Sequence, residues 1–152
     1  MESINFAKGY KEYVINGDES NILRVNLADQ NIQKRSREVY TAIEDYKNSI
    51  ASNVAKGANL LRIYEDFDEL IKEKIDYTFG KGTAKAVFGD MNCLAVANDD
   101  GACVFETFMD AIMPIIKRDI TDASRKQKKH IDELVNAKKL DAVAAKIKGT
   151  AQ

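Results

Sequence analysis

A chain of 152 residues is long enough for one domain with its own hydrophobic core and too short to suggest two. Its 23 Lys and Arg residues nearly balance its 24 Asp and Glu residues, so the net charge of -1 predicts no strong attraction to nucleic acid or to a membrane. No apolar run approaches the roughly 18 residues that a membrane span needs, and residues 1–10 contain no secretory signal, so we expect a cytoplasmic protein.

The chain begins with a predicted β-hairpin. Residues 11–15 and 22–27 are rich in β-favouring side chains, and the apolar residues of the second run fall on one side of the strand. The turn-rich residues 16–21 connect the two runs, and their Asn16-Gly17 pair tolerates positive φ. Because an isolated two-stranded hairpin is marginal in water, we expect it either to lie on a helix or to extend the sheet of a neighbouring molecule.

A long amphipathic helix is predicted after the hairpin, from Asp29 as N-cap to about Val54. Polar and charged side chains cover one side of this helix, and the small, polar residues 49–59, which include Gly57, predict a break at its end. The apolar stripe on the other side consists of Ile32, Val39, Ile43, Tyr46 and Ile50.

The second helix is predicted from about residue 59 to residue 79, where apolar side chains recur at steps of three and four. Two glycines then end it, because glycine readily adopts the left-handed conformation that closes a helix. A short helix over residues 84–88 is expected to follow, with a threonine as its N-cap and another glycine at its end. The predicted structural turn residues are Gly80, Gly82, Thr83 and Gly89.

The third long helix is predicted over residues 102–116, after a loop or single helical turn at 90–101. Its apolar stripe is wider than one neighbouring element would cover, and Pro114 is expected to interrupt and kink it, because proline lacks an N–H donor and collides with the preceding turn. We predict that this helix and the bend over residues 79–88 form an apolar groove or face for a helical partner; the alternative is that the same side chains form the core. The predicted partner-binding residues are Phe79, Phe88, Phe105, Phe108, Met109, Ile112 and Met113.

From residue 117 onward the composition becomes basic. Residues 117–148 contain ten Lys or Arg and five Asp or Glu, a net charge of +5 that leaves -6 for the rest of the chain. Apolar residues keep a helical rhythm but form only a narrow edge, so we expect a helix that is poorly buried in the isolated chain. The residues of this basic tail are Lys117, Arg118, Arg125, Lys126, Lys128 and Lys129.

Together these elements predict a mainly α fold with a small N-terminal β-hairpin (α+β). A compact helical domain (1–116) is expected to precede a basic helical extension (117–152). The opposite charges of the two parts, and the hairpin that needs a partner, predict self-association.

No group of side chains predicts chemistry. Cys93 and Cys103 lie apart from the single histidine, His130, so we expect reduced, partly buried thiols rather than metal ligands. Residues 80–83 superficially resemble a phosphate-binding loop, but Gly follows the lysine and a helix precedes it. The sequence therefore predicts no catalytic residue, no metal and no cofactor, and a protein that is not an enzyme.

Four segments resemble a known protein family. They are Ile-Asn-Phe at 4–6, Ile-Asn-Gly-Asp-Glu-Ser at 15–20, the segment 75–89 that contains Phe-Gly-Lys-Gly-Thr and Val-Phe-Gly, and Phe-Glu-Thr-Phe at 105–108. In this order they resemble the small tail assembly chaperones of long-tailed (siphovirus-like) phages and prophages of Gram-positive bacteria. The resemblance covers residues 4–116, and the basic extension that follows is longer than the family leads us to expect.

The resemblance implies an assembly factor that is absent from the finished virion. Such chaperones bind the tape measure protein in the host cell cytoplasm, keep it soluble and extended, help the tail tube protein polymerise around it, and in several cases self-associate. Two other functions stay open: a structural tail component or connector retained in the virion, and a small regulator that binds DNA through residues 117–130. The lack of interleaved aromatic side chains in that basic run disfavours nucleic acid.

Overall fold

The computed structural model describes residues 1–57 and 59–150. In this part of the chain two strands come first and four helices follow, so the predicted class, mainly α with an N-terminal β-hairpin, is confirmed. None of these helices is both long and apolar enough to cross a bilayer. The elements are β1 (Lys11–Ile15), β2 (Asp18–Val25), α1 (Gln30–Ala55), α2 (Leu60–Phe79), α3 (Thr83–Phe88) and α4 (Val104–Thr150).

Strands β1 and β2 form an antiparallel hairpin with a two-residue turn. Asn16 and Gly17 both have positive φ, 50° and 74°, as in a type I′ turn, whose twist matches that of the paired strands. The pairing register shifts between Val14 and Ile15, which accommodates extra residues of β2 as a bulge. The connecting loop is therefore shorter than the predicted 16–21, because most of those residues belong to β2.

The hairpin lies on the helices, which is the first of the two expected arrangements. Leu23 and Val25 of β2 and the following Leu27 are buried and belong to the same core cluster as the helices. The side-chain amide of Asn21 donates a hydrogen bond of 2.5 Å to the carbonyl oxygen of Ala86 in α3. The alternating apolar residues of β2 thus supply the burial that a free hairpin would lack.

Helices α1 and α2 begin where the sequence predicts. The side chains of Asp29 and Asn59 cap them by accepting hydrogen bonds from backbone N–H groups of their first turns. The apolar stripe of α1 faces α2, and the rings of Tyr46 and Phe67 stack with their centroids 4.3 Å apart. Arg35 contacts Tyr77 and Tyr46 contacts Ile63, so α1 and α2 run antiparallel and pack through their apolar faces.

The bend between α2 and α3 forms with a different cap from the predicted one. Gly80 ends α2 with φ of 119°, and Gly82, with φ of 91°, precedes α3 as its N-cap, so the prediction that Thr83 is the N-cap is wrong. Thr83 is instead the first helical residue. The Asp76 carboxylate accepts a hydrogen bond of 2.8 Å from the backbone N–H of Ala84 and thereby satisfies the start of α3.

The segment 90–101 forms turns and is fixed to α2. The Asp68 carboxylate accepts a hydrogen bond of 2.7 Å from the backbone N–H of Cys93 and pairs with Lys72 at 3.0 Å. Both cysteines are free thiols; Cys93 is fully buried, and Cys103 is half-buried. This segment therefore places a thiol in the core without cross-linking it.

Helix α4 runs without a break from Val104 to Thr150, so the interruption predicted at Pro114 is wrong. A proline inside a helix costs about 3 kcal/mol, because one backbone hydrogen bond is lost and the ring collides with the preceding turn. Ile112 and Ile116 on either side are buried in the core, and each contributes about 1.5–3 kcal/mol by burial. Packing on both sides thus offsets the local cost of the proline.

Burial along α4 divides the helix into a packed and a projecting part. Residues 124–149 are exposed without exception. The composition change at residue 117 is not the end of an element, and the division into 1–116 and 117–152, whose last two residues lie outside the described part, stays a prediction. The buried side chains of α4 are Phe105, Met109, Ile112, Ile116 and Asp119.

Candidate partner-binding site

An open apolar groove lies between β1 and α4. Its volume is about 620 Å³. One wall belongs to the hairpin, residues 12–16, and Leu27 and Val87 complete the lining. The α4 wall consists of Val104, Thr107, Phe108, Ala111, Ile112 and Ile115.

The α4 wall is one stripe of the helix. Its members recur at steps of three and four, and such residues lie above one another on a helix of 3.6 residues per turn. Phe108 is held at the base by two edge-to-face ring contacts, at 5.9 Å to Phe79 and 5.8 Å to Phe88. Ala111 is exposed and leaves room at the middle of the stripe. The wall is therefore a fixed apolar surface with a shallow centre.

The hairpin wall is the free edge of a sheet. Within residues 1–57 and 59–150, β1 pairs with β2 alone, so its second edge has no strand beside it. Consecutive residues of β1 line the groove although their side chains alternate between the two faces, which means that the strand edge itself borders the opening. A partner here meets apolar side chains and backbone donors and acceptors together.

The Tyr13 hydroxyl group donates a hydrogen bond of 2.5 Å to the Asp119 carboxylate and so joins the two walls. Lys11 of β1 lies 3.7 Å from the same carboxylate. Burial and the hydrogen bond to Asp119 raise the pKa of Tyr13 to about 12. Burial alone would raise the pKa of Asp119, but hydrogen bonds from Tyr13 and Arg118 and the charge of Lys11 hold it below its ordinary value.

The seven predicted partner-binding residues fall into three groups. Phe79, Phe88, Phe105 and Met109 are buried in the core and do not line the groove, so in this conformation they present no surface to a partner. Phe105 lies beside Ile43 of α1 and Ile71 of α2, so these two helices cover this side of α4. Phe108 and Ile112 line the groove, and Met113 is half-buried beside the core without lining it.

The hairpin wall was missed by the sequence analysis. Tyr13, Val14 and Ile15 were assigned only to a strand, and Val87 only to a short helix. A signal was present, because a β-run with apolar side chains on both faces needs cover on both. Val14 remains 49% exposed, so part of this cover is absent in the isolated chain.

The basic tail residues do not belong to the groove. They lie on α4, and all of them are exposed. Lys117 and Arg118 precede the buried Asp119, and the other four lie on the projecting part. Arg118 contacts Asp119 at 3.2 Å, and Arg125 contacts Asp122 at 3.9 Å. The six residues are Lys117, Arg118, Arg125, Lys126, Lys128 and Lys129.

Among the described residues, no three His, Cys, Asp or Glu side chains are placed to hold a metal ion. Comparison with known proteins finds no family, no curated protein and no solved structure that matches this chain.

Proposed function

We propose that this protein is a phage tail assembly chaperone that binds apolar helical segments of the tape measure protein in the groove between β1 and α4. The observation that carries the proposal is the open apolar groove, which one stripe of α4 and the free edge of β1 enclose. The resemblance of four sequence segments to such chaperones supplies the identity of the client. The setting is the host cell cytoplasm, before the tail tube protein polymerises around the client.

The shape of the groove suits side chains that project from one face of a client helix. Helix-in-groove recognition uses apolar anchors at steps of three and four, and the α4 wall has the same spacing. Each large apolar anchor contributes about 1.5–3 kcal/mol when it is fully buried. A client helix that inserts only a few such anchors into one groove would bind weakly. Weak binding suits a chaperone that must later be displaced from its client.

The lining of the groove favours binding over catalysis. Glu12 and Tyr13 are the titratable side chains among the residues that line it. The Tyr13 hydroxyl group is committed to Asp119, with its pKa raised, so it is a poor proton donor or acceptor for a substrate. The lining of the groove is thus mainly apolar, and it does not bring together the acid and base side chains that catalysis would use.

Co-expression with the tape measure protein tests the proposal. We expect the wild-type chain to keep the client soluble and to copurify with it. Ala111→Glu places a carboxylate in the centre of the groove at an exposed helical position, so it should lower client recovery by at least about tenfold while the chain stays folded. The matched control is Ala51→Glu, an exposed alanine of α1 outside the groove, which should bind like wild type.

Two results would contradict the proposal. One is a client that stays insoluble and unbound in the presence of the wild-type chain. The other is equal client recovery with Ala111→Glu and Ala51→Glu, which would place the client elsewhere. Mass spectrometry of purified particles separates a chaperone, which should be absent, from a structural tail component or connector, which should be present.

A further inference from the structure

A small pocket lies where α1, α2 and the start of α4 meet. Its volume is about 180 Å³. The residues that line its buried base are Ile43, Phe67, Ile71 and Phe105. No residue that lines this pocket also lines the groove between β1 and α4, so the two openings are separate. An occupant of the pocket can therefore bind independently of a client in the groove.

The base of the pocket favours an apolar occupant. Leu94 and Cys103 are half-buried and complete the lining beside the base. Among the described residues, no buried side-chain nitrogen or oxygen atom lacks a hydrogen-bond partner, so the base presents no unsatisfied polar group. Water in such a place has few partners, and an apolar group that displaces it gains affinity.

The volume of the pocket limits the size of its occupant. An apolar protein cavity of about 150 Å³ that is lined by Leu, Ile and Phe stays dry and binds benzene. This pocket is slightly larger and has the same kinds of side chains at its base. Pockets for drug-sized ligands begin at about 300 Å³. The occupant is therefore a single ring with a short substituent.

Charged side chains surround the mouth of the pocket. The exposed residues that line it are Tyr40, Glu44, Lys47 and Glu106. In the part of the chain that the structure describes, none of the three charged groups forms an ion pair. Burial and the charge of Asp110 raise the pKa of the Tyr40 phenol, so a third carboxylate acts at the same mouth. The mouth is therefore negative.

We propose that this pocket binds a single aromatic ring that carries a cationic group. The ring occupies the apolar base, and the cation lies at the mouth beside Glu44 and Glu106. Lys47 is outnumbered by carboxylates, and its long, flexible side chain can turn away from a bound cation. A free aromatic amine has this chemistry, and so does a phenylalanine side chain next to a lysine in a polypeptide.

NMR titration of the purified full chain, without client, tests the inference. The probes are ethylbenzene, phenethylamine and phenylpropionate, which share a ring with a short chain and differ in charge. All three should shift the amide resonances of Leu94 and Cys103, which line the pocket. At low salt phenethylamine should bind at least about fivefold more tightly than phenylpropionate. Bound phenethylamine should also slow the modification of Cys103 by a disulfide reagent.

Two variants and a matched control locate the site. Cys103→Phe places a ring in the pocket from the chain itself and should abolish binding of all three probes. E44Q/E106Q removes both carboxylates of the lining at exposed positions, so it should reduce the preference for phenethylamine at least about threefold and leave ethylbenzene binding unchanged. The control E19Q/E133Q changes the net charge equally at exposed positions outside the pocket and should bind like wild type. Circular dichroism should show that the variants are folded.

The outcomes decide the inference without reference to a client. Absence of binding by every probe would overturn it, and so would binding that a folded Cys103→Phe chain retains. Equal affinities of phenethylamine and phenylpropionate would overturn the assignment of a cationic occupant. A capped Phe-Lys dipeptide distinguishes the two sources of the chemistry: tighter binding than phenethylamine assigns the pocket to a side chain of a protein partner, and weaker binding assigns it to a free amine.

Discussion

Tyr13 on β1 and Asp119 on α4, 106 residues apart in sequence, meet in a hydrogen bond of 2.5 Å at the border of the groove. The Asp119 side chain is only 3% exposed, so its charge depends on the protein for solvation. Tyr13, Arg118 and Lys11 supply that solvation. The buried carboxylate of Asp119 thus links α4 to the hairpin, because Tyr13 and Lys11 of the hairpin stabilise its charge.

Removal of the hydroxyl group should therefore destabilise the fold. Tyr13→Phe keeps the ring and deletes the donor to Asp119, and we expect a loss of about 1–3 kcal/mol in the free energy of unfolding, because a buried carboxylate loses one hydrogen bond. Urea unfolding at neutral pH measures it. Tyr10→Phe is the control, since Tyr10 is exposed, and it should change the stability by less than about 0.5 kcal/mol. Equal stabilities of the two variants would show that the hydrogen bond contributes nothing.

The same pair predicts a loss of stability at alkaline pH. Burial and Asp119 raise the pKa of Tyr13 from 10.0 to about 12, so the folded chain holds this proton more tightly than the unfolded chain. The contribution is complete below pH 10 and disappears as the pH rises through the folded pKa. Between pH 9 and pH 12 the free energy of unfolding should therefore fall more steeply for wild type than for Tyr13→Phe. The two slopes should differ most at pH values of about 10–12. Parallel pH profiles would contradict the assignment.

The two thiols should differ in reactivity. Cys93 is fully buried, and burial and its contact with Asp68 raise the pKa of its thiol, so the reactive thiolate is both inaccessible and disfavoured. Cys103 is half-buried. In the native state a disulfide reagent should modify Cys103 at least about tenfold faster than Cys93, and denaturant should remove the difference. Cys103→Ser isolates the slow thiol; fast labelling of that variant in the native state would be inconsistent with the buried position.

The projecting part of α4 should be dispensable for folding. A chain that ends at Ser124 retains every buried side chain of α4, so its free energy of unfolding should stay within about 0.5 kcal/mol of wild type. A chain that ends at Asp110 lacks Ile112, Ile116 and Asp119 and should not fold. Urea titrations followed by circular dichroism compare the three chains. A large loss of stability in the first truncation would show that the projecting helix supports the core.

Local signals predicted the helices well and their surroundings poorly. Asp29 was predicted correctly as the N-cap of α1, because a capping side chain acts on its own first turn. The start of α2 was predicted from the spacing of its apolar side chains, and Asn59 is its N-cap. Pro114 misled, because its local cost is outweighed by the burial of Ile112 and Ile116, which depends on the folded chain. The prediction of Thr83 as N-cap was wrong for a similar reason. The Asp76 carboxylate, from the preceding helix, accepts the hydrogen bond from the backbone N–H of Ala84 at the start of α3.

The groove was predictable only in part. The spacing of Phe108 and Ile112 marks an apolar face of α4, but periodicity does not say which apolar residues a neighbour will cover. Helices α1 and α2 lie beside Phe105, and the hairpin borders Phe108. The approach of the hairpin to α4 depends on contacts such as that of Tyr13 with Asp119, 106 residues apart in sequence. Phe105 and Met109 share the pattern of Phe108 and are nevertheless sealed in the core.

Helix α4 links the hydrophobic interior to open solvent as one element, since it continues through Pro114 and residue 117. The packing of Ile112 and Ile116 in the core therefore determines the direction in which the distal end of α4 projects. The end lies about 40 Å beyond the last packed turn, so a tilt of about 5° at the core sweeps the tip through about 3 Å. Conservative exchanges such as Ile116→Val would thus re-aim a distant surface while leaving its chemistry untouched.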